Sequence, residues 1–200
     1  MHGILLLGLP NLLVSTNQLV QLELALDDDD DPEYTPPDAM GSCLAMLPNL
    51  NQLVIELNFS TSHPRLTSPL PPVCDILPSL TNFHFTGIGE YLEDLVARIN
   101  TPLLYHFTMI FYKDFNFVTS QLVQFISCTE WIKELHQTHY PVELDSWSVR
   151  MSNRLGGCLE LGIRYNRSSW RFDSLEQLCY HLLPLLSQVE SLRVCEDPSC

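Results

Sequence analysis

Leu77-Pro-Ser-Leu-Thr-Asn-Phe-His-Phe-Thr-Gly87 contains a short phrase that begins at Leu80: leucine, two residues, an apolar residue, one residue, an apolar residue. Leu80, Phe83 and Phe85 fill it here. The same phrase reads Leu19–Leu22–Leu24, Leu50–Leu53–Ile55 and Leu104–Phe107–Met109, and after a gap Val189–Leu192–Val194. The first four copies start at 19, 50, 80 and 104, in steps of 31, 30 and 24 residues. Apolar residues two apart mark a strand with one buried face. A fixed apolar phrase at such a step marks a solenoid, in which each unit buries its core against its neighbours.

Apolar runs of helical period lie between the phrases. They are Leu5–Asn17, Asp38–Leu47, Glu90–Ile99, Thr119–Cys128 and Ser174–Leu186. Pro37 opens the second, whose Ala39, Cys43, Met46 and Leu47 share one side. In the third, Leu92, Leu95, Val96 and Ile99 are expected to face the core, and Glu93, Asp94 and Arg98 to face water. The expected fold is therefore α/β: an irregular leucine-rich-repeat-like solenoid with a parallel sheet on one face and helices on the other. Residues 1–200 read as one domain, an incomplete solenoid, with flexible loops near 27–37 and 60–72. Between Tyr140 and Tyr165, Val142–Val149 and Leu159–Ile163 flank the turn-forming Asn153 and Gly156-Gly157. Two readings fit this stretch: a β-hairpin or two successive solenoid strands.

Composition narrows the function. The chain is 46% apolar and 17% charged, with a net charge of −14 and only 10 Lys and Arg. Phosphate backbones and anionic lipid surfaces both need clustered cations, so neither nucleic acid nor a membrane is expected as partner. Met1–Leu13 lacks a cationic start and is interrupted by Pro10, unlike a signal peptide. Seven cysteines without a CxxC pair read as reduced thiols, which points to the cytoplasm or nucleus.

Candidate chemistry is thin. Asp27–Asp31 lacks the spaced ligands and glycine of a calcium loop and reads as a solvated run. His136 and His139, with Cys128 upstream, give one half of a zinc set and no second pair. No G-x-S-x-G elbow occurs, and Gly87-Ile-Gly89 is too short for a phosphate loop, so it reads as a strand end opening a helix. Glu93 and Asp94, on the expected wet face, need no catalytic role. The chain reads as no enzyme, with no cofactor and no metal.

The strand surface is the better candidate. If the phrase residues point inward, their alternates point out. Stacked strands would align Gln21, Gln52, Asn82 and His106 in one row, and Glu23, Val54, His84 and Thr108 in the next. A third row would hold Ala25, Glu56, Thr86 and Ile110. Such a mixed polar face suits a protein or peptide target better than a buried small molecule.

The Leu77–Gly87 stretch, followed by Glu90-Tyr-Leu-Glu-Asp-Leu-Val-Ala-Arg-Ile-Asn-Thr-Pro102, resembles the F-box and leucine-rich-repeat proteins expanded in mushroom-forming fungi. Gln121-Leu-Val-Gln-Phe-Ile-Ser127 and Ser174-Leu-Glu-Gln-Leu-Cys179 are similar to later repeats of that group. The resemblance implies a solenoid that recruits a protein substrate, with a separate F-box tethering it to a ubiquitin ligase. Met1 here leads directly into a repeat helix, so a ligase adaptor role is expected only if an F-box lies upstream. The alternatives are a truncated repeat remnant without a partner and, more distantly, a hydrolase on an unrecognised α/β fold.

Overall fold

A computed structural model describes residues 18–26, 35–58, 74–112, 120–130, 141–144, 148–152, 156–163, 180 and 191–194. In chain order its elements begin with β1 (Gln21–Leu26), α1 (Pro37–Ala45), β2 (Gln52–Leu57), β3 (Asp75–Ile76), β4 (Asn82–Gly87) and α2 (Gly89–Val96). There follow β5 (Ile99–Asn100), β6 (His106–Phe111), α3 (Ser120–Cys128), β7 (Pro141–Leu144), β8 (Ser148–Ser152), β9 (Cys158–Ile163) and β10 (Ser191–Val194). The Leu5–Asn17 run, the aspartate run, nearly all of both expected loops, and His136 and His139 lie outside the described residues. So does the last expected helix apart from Tyr180, which is helical.

Eight strands form one sheet in the order β1-β2-β4-β6-β9-β8-β7-β10. The phrase strands pair in parallel with phrase residue against phrase residue: Leu22 with Leu53, Leu53 with Phe83, Phe83 with Phe107. Alternation does the rest. In β2, Leu53, Ile55 and Leu57 are buried while Gln52, Val54 and Glu56 are half-buried. The inward residues form one cluster with Met40 and Leu44 of α1, Leu92 and Leu95 of α2, and Leu122 and Ile126 of α3. The helices thus cover the inner face, and α2 packs between α1 and α3. Aromatic contacts tie the layers: Phe83 stacks on Phe107 at 5.1 Å, and Phe107 meets Phe125 of α3 edge-on at 5.5 Å.

β2, β4 and β6 are each entered through the same turn. Leu47-Pro48-Asn49-Leu50, Leu77-Pro78-Ser79-Leu80 and Thr101-Pro102-Leu103-Leu104 each close with the fourth residue's N–H donating to the first residue's carbonyl. Leu47 and Leu77 are buried core residues, and Thr101 takes their place in the third turn. On the helical side, β3 and β5 make a small parallel sheet of their own.

The fold class agrees with expectation as a mixed α/β chain with a mostly parallel sheet, but four details differ. First, the sheet is not parallel throughout. β8 runs antiparallel between β7 and β9, so β8 and β9 pair as the two arms of a hairpin, and β9 also pairs in parallel with β6. Second, the Val189–Val194 phrase supplies β10, which pairs with β7 at the far edge rather than continuing from β6. Third, α1 buries Met40, Gly41 and Leu44, not Ala39 and Met46, which are exposed; Cys43 is only half-buried. A glycine inside the packed stripe hides it from an apolar count. Fourth, α2 stops at Val96, and Ile99 enters the core from β5. The expected strand end and helix start at Gly87-Ile-Gly89 are found there.

Candidate binding face

The pairing register aligns the expected rows residue for residue. Gln21, Gln52, Asn82 and His106 are successive partners across β1, β2, β4 and β6, as are Glu23, Val54, His84 and Thr108. Adjacent strands lie roughly 4.8 Å apart, so each row spans four strands in about 14 Å. Gln21, Glu23 and His106 are exposed; Gln52, Val54, Glu56, Asn82, His84 and Thr108 are half-buried.

Local hydrogen bonds hold part of this surface. Asn82 Nδ2 donates to Thr81 Oγ1 at 2.9 Å, and Thr81 Oγ1 reaches the Asn51 carbonyl at 3.4 Å. His84 Nε2 and Thr86 Oγ1 are 3.1 Å apart. The Tyr105 ring stands edge-on to His106 at 5.2 Å. The third row is not open along its length, because Thr86 is only 2% exposed. That corrects the expectation that it faces outward freely, and leaves the first two rows as the accessible part.

The register also extends both rows. Cys158 follows His106, and Glu160 follows Thr108. Across the hairpin, Arg150 lies between Glu160 and Glu143, with Arg150 Nη2 at 2.9 Å from Glu160 Oε2. Glu160's hydrogen bond and charge push the Arg150 guanidinium's pKa up, while burial pushes the Cys158 thiol up. These residues escaped the phrase search for a countable reason. Leu155, Leu159 and Leu161 repeat the phrase with one residue too many. The extra length falls in the turn holding Gly156, whose φ of 94° is left-handed.

One carboxylate is placed contrary to expectation. Glu93 is 4% exposed, and its Oε1 and Oε2 accept the Gln121 and Leu122 backbone N–H groups at 2.6 and 2.8 Å. Ser120 Oγ donates to Oε1 at 3.4 Å. These donors belong to the first turn of α3, whose N–H groups have no partner within the helix. A carboxylate there also meets the positive end of the helix dipole. Burial pushes the Glu93 carboxyl above its ordinary value, against the pull of the three donors, with Asp94 adding to the rise. Its role is to hold α3 against α2.

No group of three or more His, Cys, Asp or Glu side chains suited to a metal occurs among the described residues. Nor does any helix among them have the length and apolarity to cross a membrane. No family model, curated protein or solved structure matches this chain.

Proposed function

We propose that this chain is a non-catalytic protein-interaction scaffold of the leucine-rich-repeat type, with the outward sheet rows as its docking face. The observation that carries the reading is the register. It brings amides, imidazoles, a carboxylate and a hydroxyl from four separated segments into two continuous rows backed by a packed core. Rigid strands present such groups with little loss of freedom on binding. The partner is a protein or peptide, and the compartment the cytoplasm or nucleus. The resemblance to F-box proteins extends the reading to substrate recognition for a ubiquitin ligase, provided an F-box lies upstream.

A photo-cross-linking amino acid placed at His84 or Thr108 tests it, with Ile76 and Leu103 as exposed control positions off the rows. The reading expects a discrete protein adduct from the row positions and none from the controls. Equal labelling at all four positions, or adducts only at the controls, would overturn it.

A further inference from the structure

The first two strands make a chequered patch at one end of the outward face. Gln21, Glu23 and Ala25 of β1 pair in register with Gln52, Val54 and Glu56 of β2. Each carboxylate therefore sits opposite an apolar residue, and the two carboxylates are diagonal neighbours. Diagonal positions on one sheet face lie about 7–8 Å apart. Glu23 and Ala25 are exposed, and Val54 and Glu56 are half-buried. Glu56 thus stays open where Thr86, its partner in the third row, is closed off. Among the described residues, neither carboxylate has a hydrogen bond or an ion pair. Two like charges so placed repel each other, and a cation between them relieves both.

The other end of the same face shows how the fold itself answers such a pair. There Arg150 stands in register between Glu160 and Glu143, with its Nη2 at 2.9 Å from Glu160 Oε2. A guanidinium carries five donors, enough to serve two carboxylates at once. The β1–β2 end offers the carboxylates and leaves the guanidinium to come from outside. Val54 adjoins both of them and presents methyl groups on which a long cationic side chain can lay its stem. Gln21 and Gln52, alongside, can each donate to and accept from a peptide backbone. The net charge of −14 draws cationic segments toward the surface. We propose that this patch holds an arginine side chain of an extended partner peptide, its guanidinium between Glu23 and Glu56 and its stem on Val54. The inference rests on the docking reading of the outward rows and names the chemistry of what docks there.

The test follows the Val54 methyl NMR signals of the full chain, at about 0.15 M salt, during titration with acetyl-Ala-Ala-Arg-Ala-Ala-amide. The same peptide with citrulline for arginine, which keeps the shape and loses the charge, is the contrasting probe. Saturable shifts are expected with the arginine peptide, and binding of the citrulline peptide about tenfold weaker. Glu23→Gln and Glu56→Gln should each weaken arginine-peptide binding about three- to fivefold. Both replacements keep the side-chain shape at outward positions, so folding is not at stake. Asp94→Asn on α2 removes the same charge away from the sheet face and should leave binding unchanged. Absence of saturable shifts, equal binding of the two peptides, or equal losses in all three variants would overturn the proposal. If the arginine peptide fails while a photo-cross-linker at Thr108 still gives its discrete adduct, this inference falls alone. If that adduct is also missing, the docking reading falls with it.

Discussion

Glu93 shows how one side chain can join two elements that the sequence lists separately. A helical wheel drawn for α2 against the sheet alone puts residue 93 in water. But α2 has neighbours on both flanks, and the flank toward α3 buries Glu93 at four per cent exposure. A single-partner wheel cannot represent that second contact. Replacing Glu93 by alanine leaves the Gln121 and Leu122 N–H groups without their acceptor, at an expected cost of about 1–3 kcal/mol. The pH dependence has a definite sign. The folded-state carboxyl titrates above its unfolded value, so the folded chain binds this proton more tightly. The resulting stability is fully present below the unfolded value and is lost as pH rises through the folded one. In urea unfolding from pH 4 to 7, the advantage of wild type over Glu93→Gln should therefore shrink with rising pH. A growing advantage would contradict the assignment.

At the scale of elements, the four phrase strands were legible because period-two alternation and the leucine three residues ahead both mark them. The small β3–β5 sheet was not, since two residues per strand carry no periodicity. The hairpin was half legible: its turn glycines stand in the sequence, but the parallel pairing of β9 with β6 depends on tertiary contact. The buried stripe of α1 was missed because Gly41 packs there without an apolar side chain. The end of β4 offers a sharp test of the packing beneath the strands. A Cβ added at Gly87 would lie 3.0 Å from the Cβ of Leu57 and 3.0 Å from the Phe85 ring. Contact that close forces neighbours to move, so Gly87→Ala should destabilise by about 1–3 kcal/mol in thermal or denaturant unfolding. A neutral result would mean that β2 and β4 are less tightly apposed than described.

For the molecule as a whole, one alternating phrase accounts for two properties at once. Its apolar positions make the core that joins sheet to helices, and its intervening positions make the outward rows of the sheet. The order of the first four phrase strands could be read from sequence because they pair in chain order. The positions of β10 and of the antiparallel β8 could not, because nothing local records which sheet edge a late strand joins. The candidate rows inherit this division, legible over four strands and silent over the hairpin that prolongs them. The claim that core and face are separated by alternation within the phrase is tested most directly at Phe83 and His84. Phe83 is buried and stacked on Phe107, whereas His84 is half-buried on the outer rows with Thr86 as its partner. Measured by denaturant unfolding, Phe83→Ala should cost about 3–5 kcal/mol. His84→Ala should cost no more than about 1 kcal/mol, the worth of its hydrogen bond. Equal costs at the two positions would contradict both the core and the face described for this chain.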